Sequence, residues 1–252
     1  MRVFLALYRK DMKALFGSPV AYVFLAAFSL LSGLFFYRGM LFFSALSAQT
    51  VRGQAVNANL AVFRPLFSNY VFILVLLVPL VTMRLFSEER KSGTLELLGS
   101  YPAAACSVVL AKYACGLSTA ACGLGMTLPF PVAVSSLGVV DWAPVVSAYA
   151  GLLLAASALT AIGVFFSSVT DNQIIAASAA LGASSAFWIV GWLGRYVPPF
   201  LGRLVGAVSF HERAAGFIRG VVGTDDAFFF VNFTAAALVF TIMSLRSQRF
   251  GG

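Results

Sequence analysis

Long apolar blocks, separated by shorter polar segments, make up most of this chain. A helix that crosses a bilayer needs roughly 20 mostly apolar residues, because the hydrocarbon core cannot hydrate exposed polar groups. Six stretches satisfy this requirement and contain no Asp, Glu, Lys, Arg or His: Pro19–Tyr37, Leu66–Met83, Tyr113–Val140, Ala143–Val169, Ile174–Leu193 and Ala227–Leu245. Pro129 and Pro131 are expected to kink or end the third. The pattern predicts an all-α integral membrane protein, with one six-span transmembrane domain over residues 1–252.

Composition agrees with this interpretation. Of the 252 residues, 60% are hydrophobic and 10% are charged, and the mean hydropathy is +0.93, whereas a soluble domain needs more surface charge. The net charge of +8 suits helix ends that meet anionic lipid head groups in the bilayer. No combined basic and aromatic groove pattern occurs, so we expect no nucleic-acid partner. Cys106, Cys115 and Cys122 lack metal-site spacing and are predicted to be packing residues.

The segment before the first span predicts a helix at the membrane surface. In Met1–Gly17 the basic residues Arg2, Arg9 and Lys13 fall on one stripe of a helical projection, and apolar side chains lie roughly opposite. This pattern is typical of an amphipathic helix in the membrane interface. Ser18 followed by Pro19 is typical of an N-cap, so we expect the first span to begin there.

A second amphipathic segment precedes the last span. The run Ser209-Phe210-His211-Glu212 fits a capping box, in which hydroxyl and carboxylate each accept a hydrogen bond from an exposed amide. Apolar residues follow at helical spacing, and Gly223 is the expected C-terminal stop. We therefore expect Ser209–Val222 to form a short helix that dips into the membrane surface.

The most polar part of the chain is Arg84–Pro102, between the second and third spans. It combines acidic and basic residues with Gly93 and a run of leucines. Thr94 is a candidate N-cap, and the leucines after it offer an apolar face, so the pattern predicts a short helix here. A solvated charged turn is the alternative interpretation.

The distribution of positive residues predicts the orientation. A cytoplasmic N-terminus places ten of the 17 Lys and Arg residues, including all four lysines, on the cytoplasmic side. We therefore expect both termini and Arg84–Pro102 to face the cytoplasm.

The energy source for active transport is predicted to lie outside this chain. The six spans lack the ionisable residues that usually mark ion or proton routes, and no Gly-x-x-x-x-Gly-Lys-Ser/Thr phosphate loop occurs. A separate ATPase is expected to act through Arg84–Pro102. A non-transporting membrane anchor for an ATPase-containing motility or secretion complex would need the same contact. A membrane enzyme would have to rely on His211 and Glu212, and a channel would lack a charge ring.

Several segments resemble one family of membrane proteins. The run Met83-Arg84-Leu85-Phe86-Ser87-Glu88-Glu89-Arg90-Lys91-Ser92-Gly93-Thr94-Leu95-Glu96-Leu97-Leu98 resembles the loop signature of ABC-2-type ABC transporter permeases. Three other segments resemble the gliding-motility-type branch of that family: Arg9-Lys10-Asp11-Met12-Lys13 through Ser18-Pro19-Val20-Ala21-Tyr22, Asp171-Asn172-Gln173-Ile174, and Phe210-His211-Glu212 to Arg219-Gly220. The resemblance extends over nearly the whole chain.

The resemblance implies a permease in the inner membrane of a bacterial cell, working as an exporter. Such a permease is not itself catalytic and binds no cofactor; two copies of a separate ATPase subunit bind ATP and Mg²⁺. It pairs with a second permease, identical or different, and an auxiliary membrane subunit with an extracytoplasmic domain often accompanies this branch. The ATPase would contact a coupling helix with the residues Arg84, Glu88, Glu89, Arg90, Lys91, Gly93, Thr94, Leu95, Glu96, Leu97 and Leu98. A re-entrant helix before the last span would contain Ser209, Phe210, His211, Glu212, Phe217 and Arg219.

Overall fold

The computed structural model describes residues 2–49, 58–94, 105–136, 140–193, 198, 200 and 206–250. Within these ranges every element of regular secondary structure is a helix. A five-residue π-helix, Asn59–Phe63, precedes α3. The α-helices are α1 (Arg2–Gly17), α2 (Pro19–Gln49), α3 (Arg64–Thr82), α4 (Arg84–Lys91), α5 (Ala105–Gly125), α6 (Pro129–Ser135), α7 (Trp142–Val169), α8 (Gln173–Leu193), α9 (Phe210–Ile218) and α10 (Thr224–Phe250).

Six helical stretches are long and apolar enough to cross a membrane, as expected for a multi-pass membrane protein. They are Pro19–Ala48, Asn59–Lys91, Ala105–Ser135, Trp142–Val169, Gln173–Gly191 and Thr224–Ser247. The first three extend beyond the predicted spans, because the prediction stopped at polar or charged residues, whereas a helix continues through such residues outside the hydrocarbon. One added segment, Arg84–Lys91, was predicted to open a polar loop and is found to prolong the second span.

The second and fourth spans form the centre of the bundle. In their most apolar stretches 67% of the residues are buried, against 22% for the first, fifth and sixth spans. Helix α7 contacts α3, α5, α8, α9 and α10. Gly163 of α7 allows one close approach, since a Cβ there would lie 2.0 Å from the Thr82 Oγ1 of α3. The core is therefore a tight α3–α7 pair with the other helices around it.

The third span is interrupted as predicted. Helix α5 ends at Gly125, and α6 begins at Pro129 with proline in its first turn. A proline there removes no intrahelical hydrogen bond, but it would do so inside a continuous helix. The next helix, α7, begins after Asp141, whose Oδ1 accepts a hydrogen bond from the Ala143 amide at 3.2 Å.

Both predicted amphipathic segments are helical. Helix α1 occupies Arg2–Gly17, and Ser18 Oγ accepts a hydrogen bond from the Val20 amide at 3.4 Å at the start of α2. Helix α1 packs along α5, where the Tyr8 hydroxyl lies 3.0 Å from Ser118 Oγ. The location of the two amphipathic helices, α1 and α9, at a membrane surface stays a prediction.

The structure of α9 differs from the prediction in two details. Ser209 caps it, accepting from the Glu212 amide at 3.3 Å, but the Ser209 amide donates to the Gly206 carbonyl at 3.2 Å rather than to Glu212. The helix also ends earlier than Gly223, because Gly220 has φ +83° and supplies the left-handed turn. At Gly220 the chain passes Pro144 so closely that a Cβ would lie 3.0 Å from Pro144 Cγ.

Candidate functional site

Four charged side chains meet where α1, α4 and α5 converge. Lys112 Nζ of α5 lies 2.8 Å from Glu89 Oε2 of α4 and 3.5 Å from Asp11 Oδ2 of α1. Lys10 Nζ of α1 lies 2.6 Å from Glu89 Oε1. These four residues are called the charge cluster below. Because each helix contributes at least one member, the charge cluster ties together three segments that are far apart in sequence.

Burial makes the members of the charge cluster depend on one another. The Lys112 side chain is 3% exposed and Asp11 is 8% exposed, whereas Lys10 reaches solvent at 51%. A charge this deeply buried is tolerated when it is paired and hydrogen-bonded. The Lys112 amine also lies 5.0 Å from the centre of the Phe86 ring, which adds a cation–π contact. Removing one partner would therefore leave another charge buried without compensation.

The two α1 members respond differently to this environment. Burial lowers the pKa of Lys10, but the hydrogen bond and negative charge of Glu89 outweigh that effect and raise the pKa above its ordinary value. Burial raises the pKa of Asp11, and the charge of Lys112 offsets only part of this rise. Glu89 and Lys112 are therefore the closely matched pair, and Asp11 is the member whose charge is least well compensated.

Helix α4 is also fastened to the C-terminal end of α7. Ser167 Oγ of α7 accepts hydrogen bonds from the Phe86 amide at 3.0 Å and the Ser87 amide at 3.2 Å, and it donates to the Met83 carbonyl at 2.9 Å. Both amides lie in the first turn of α4, directly after its junction with α3 at Met83. Arg90 Nη1 donates to the Ser168 carbonyl at 3.0 Å, at the negative end of the α7 dipole.

The predicted coupling residues fall into two groups in the structure. Glu89 and Arg90 bind other parts of this chain, whereas Glu88 and Lys91 are exposed to solvent. Arg84 is half-buried and lines a cavity of about 300 Å³ beside the charge cluster, together with Lys10, Asp11, Leu85, Glu88, Glu89, Thr94 and Lys112. Fewer residues of α4 are therefore accessible to another protein than the sequence motif contains.

The turn after α4 is described as far as Thr94. Gly93 has φ +70°, a left-handed conformation that favours glycine after a helix. Thr94 Oγ1 donates to the Glu89 carbonyl at 3.2 Å and so helps to close the C-terminus of α4. The predicted helix residues Leu95, Glu96, Leu97 and Leu98 lie outside the described residues.

The predicted re-entrant residues lie on α9, at the other end of α7. Phe210 is fully buried and packs on the Phe187 and Phe233 rings, and Phe217 packs on Gly151, where a Cβ would lie 2.4 Å from Phe217 Cβ. His211 is half-buried beside the Trp188 ring, while Glu212 and Arg219 are exposed. The structure therefore does not bring these residues together with the predicted coupling residues.

Sequence reasoning missed five residues that hold these regions in place. Lys10, Asp11 and Lys112 complete the charge cluster, and Arg213 pairs with Asp226 at 2.9 Å to join α9 to α10. Lys112 stood next to the first residue of the predicted third span, which was a signal of burial. Asp11 gave no comparable signal, because its partners are distant in sequence.

Comparisons with known proteins add no family assignment: no protein-family model and no curated protein matches this chain. In the part of the chain that the structure describes, no three His, Cys, Asp or Glu side chains are grouped as a metal site requires. The features of this chain that bear on function are therefore the sequence motif and the geometry around α4.

Proposed function

We propose that this chain is the permease subunit of an ABC-2-type transporter, an exporter in a bacterial inner membrane, of the gliding-motility-type branch. In this proposal α1, α4 and both termini face the cytoplasm. A separate ATPase subunit, present in two copies, binds ATP and Mg²⁺, and a second permease copy completes the complex.

One observation supports the proposal above the others: α4 has exposed charges on one side and buried charges on the other. Glu88 and Lys91 are accessible to a partner, and Glu89 and Arg90, next to them in sequence, bind α1, α5 and α7. A protein that moved α4 would pull on the charge cluster and on Ser167. Motion of an exposed segment would thus reach the spans through paired charges and hydrogen bonds.

The mechanism requires two arrangements of the spans that nucleotide can bias. Closure of two ATPase subunits would bring the two copies of α4 together, and each α4 would carry α1, α5 and α7 with it. The spans themselves supply no ionisable group between Leu66 and Met83 or between Ala143 and Val169 for a gradient to act upon. Hydrolysis in the partner is therefore the proposed source of work.

Site-specific crosslinking in cells tests the contact. A photoreactive residue at Lys91 is expected to capture a protein with a nucleotide-binding phosphate loop. The same residue at Ser136, exposed at the far end of the third span, is the matched control and is expected not to capture it. Capture of the same proteins at both positions would contradict the proposal.

A charge-reversal variant then tests coupling. Glu88→Lys with Lys91→Glu is expected to abolish copurification of the ATPase while leaving the melting temperature of the permease unchanged, because neither side chain belongs to the charge cluster. Movement of cargo by the purified chain alone, without any nucleotide-hydrolysing partner, would contradict the proposal that this chain is a permease subunit driven by a separate ATPase.

A further inference from the structure

A second cavity lies at the opposite end of the α3–α7 pair from the charge cluster. Its volume is about 240 Å³. Three separate parts of the chain form it: the π-helix with the start of α3, the start of α7, and the end of α9. The lining residues that matter here are Asn59, Phe63, Arg64, Asp141, Val145 and Arg219.

The walls of this cavity are fixed by specific contacts. Asn59, which is 8% exposed, donates from Nδ2 to the Asp141 carbonyl at 2.8 Å and accepts at Oδ1 from the Asp141 amide at 3.3 Å. This pair joins the π-helix to the start of α7. The contact of Gly220 with Pro144 holds the end of α9 against α7, which brings Arg219 to the same cavity. A π-helix is rare and often marks a functional position.

Positive charge exceeds negative charge around the cavity. Two guanidinium groups line it, from Arg64 and Arg219, and neither forms an ion pair with any described residue. Arg219 Nε donates to the Ala215 carbonyl at 3.2 Å, which leaves its other nitrogens available. Among the described lining residues the one carboxylate, Asp141, already accepts from the Ala143 amide as an N-cap. The unpaired arginines favour an anion with several acceptor oxygens.

Apolar side chains stand directly beside these charges. Phe63, Phe67 and Val145 form the inner wall, and Leu60, which is 52% exposed, lies at the opening. Trp142, at the start of α7, is 46% exposed, as is common for tryptophan at the level of lipid head groups. The combination of guanidinium groups with an apolar edge fits a phosphate group attached to an apolar chain.

We propose that this cavity binds the phosphate of an anionic lipid or amphiphile at the membrane surface opposite the charge cluster. Arg64 and Arg219 hold the phosphate oxygens, and Leu60 contacts the first part of the attached chain. The proposal does not rest on the transport function proposed above, since a lipid site serves any membrane protein.

Lipid titration followed by native mass spectrometry tests the site. The purified chain is titrated with phosphatidylglycerol, and the same titration is made for Arg64→Gln, Arg219→Gln and the double variant. Loss of a charge-assisted hydrogen bond weakens binding by about tenfold. Each single variant is therefore expected to bind about tenfold more weakly, and the double variant more weakly still.

Arg38→Gln is the matched control. Arg38 is exposed on α2 beside Gly39, which contacts Val62 of the π-helix, so it lies at the same level without lining the cavity. It is expected to bind phosphatidylglycerol like the unchanged chain. Equal weakening in Arg38→Gln and Arg64→Gln would overturn the proposal, because it would show a general effect of surface charge. Unchanged affinity in the double variant would also overturn it.

Competition with inorganic phosphate distinguishes the source of the ligand. If it displaces the lipid from the unchanged chain, the site accepts phosphate in general; if it does not, the apolar chain is required. Both outcomes agree with a phosphate site. A double variant with lysine at both positions retains the charge and is expected to recover part of the affinity. Melting temperatures measured without added lipid show whether each variant is folded.

Discussion

The two ends of the α3–α7 pair hold their charges in opposite ways. At one end Lys112 and Asp11 are buried and Glu89 is half-buried, and opposite charges face one another across helices from three parts of the chain. At the other end Arg64 and Arg219 line an open cavity and form no ion pair with the described residues. Charges that satisfy one another make a rigid joint, whereas charges without partners make a binding site. The first end is therefore expected to govern stability and the second to govern ligand affinity.

The largest effect is expected from breaking the joint at its most buried member. Lys112→Met leaves Asp11 buried without a positive partner and Glu89 with Lys10 alone, so it is expected to destabilise the protein by about 3 kcal/mol. The melting temperature in detergent measures the loss. Lys13→Met, an exposed lysine on α1, is the control and is expected to change little. A Lys112→Met protein as stable as the control would show that the joint contributes nothing.

Close helix approach at the two ends gives the next largest effect. Gly163→Ala would place a Cβ 2.0 Å from Thr82 Oγ1, and Gly151→Ala would place one 2.4 Å from Phe217 Cβ. Overpacking of this kind costs about 1–3 kcal/mol. Both variants are expected to melt earlier than Gly182→Ala, where no heavy atom lies within 4 Å of the added Cβ. Equal melting temperatures of all three variants would contradict the close helix contacts at Gly163 and Gly151.

The attachment of α4 to α7 is expected to be worth less. Ser167→Ala removes an acceptor of the Phe86 and Ser87 amides, and a typical hydrogen bond contributes about 1 kcal/mol to stability. The neighbouring substitution Ser168→Ala removes a bond within α7 only, to the Phe165 carbonyl, and is the control. Hydrogen exchange of the α4 amides is expected to rise in Ser167→Ala but not in Ser168→Ala. Equal exchange in the two variants would refute the attachment.

The smallest effect is expected at Asp11. Because burial raises the pKa of Asp11, its charged form gains too little from Lys112 to recover the cost of burial. Its favourable contribution to stability is present below the ordinary pKa of a carboxyl group and is lost as pH rises through the raised pKa. Asp11→Asn is therefore expected to change stability at neutral pH by less than about 1 kcal/mol.

The pH dependence provides the check. Melting temperatures of the unchanged chain and of Asp11→Asn, measured between about pH 4 and pH 7, are expected to diverge toward acid, where protonated Asp11 stabilises the unchanged chain. Parallel curves would show that Asp11 does not titrate in this range. A large loss in Asp11→Asn at neutral pH would show that its charged form is essential to the joint.

Local signals in the sequence predicted the helices and several of their ends. The uncharged blocks located six spans, Pro129 located the interruption of the third, and Ser209 located the start of α9. Each of these depends on a residue and its immediate neighbours. Backbone geometry at a proline or at an N-cap is a local property, so it can be read without knowledge of the fold.

Properties that depend on distant residues were not predicted. Lys112 was predicted to lie at the cytoplasmic end of the third span, and only the packing of α1 and α4 on α5 reveals which charges it meets. Arg84–Lys91 was assigned to a loop, because its polar composition hides the contacts of Ser167 and Ser168 that stabilise it as a helix. Gly223 was predicted as the helix stop, whereas the contact with Pro144 favours the earlier glycine, Gly220.

The spacing of two arginines on one helical path sets how the molecule sits in a bilayer. Arg64 and Arg84 are 20 positions apart, which is about 30 Å at the rise of an α-helix and equals the usual hydrocarbon thickness. A thinner membrane would force this path to tilt, since neither guanidinium enters the hydrocarbon without cost. Tilt would move both the cavity at Arg64 and the charge cluster relative to the membrane surfaces, so bilayer thickness itself would act on both ends at once.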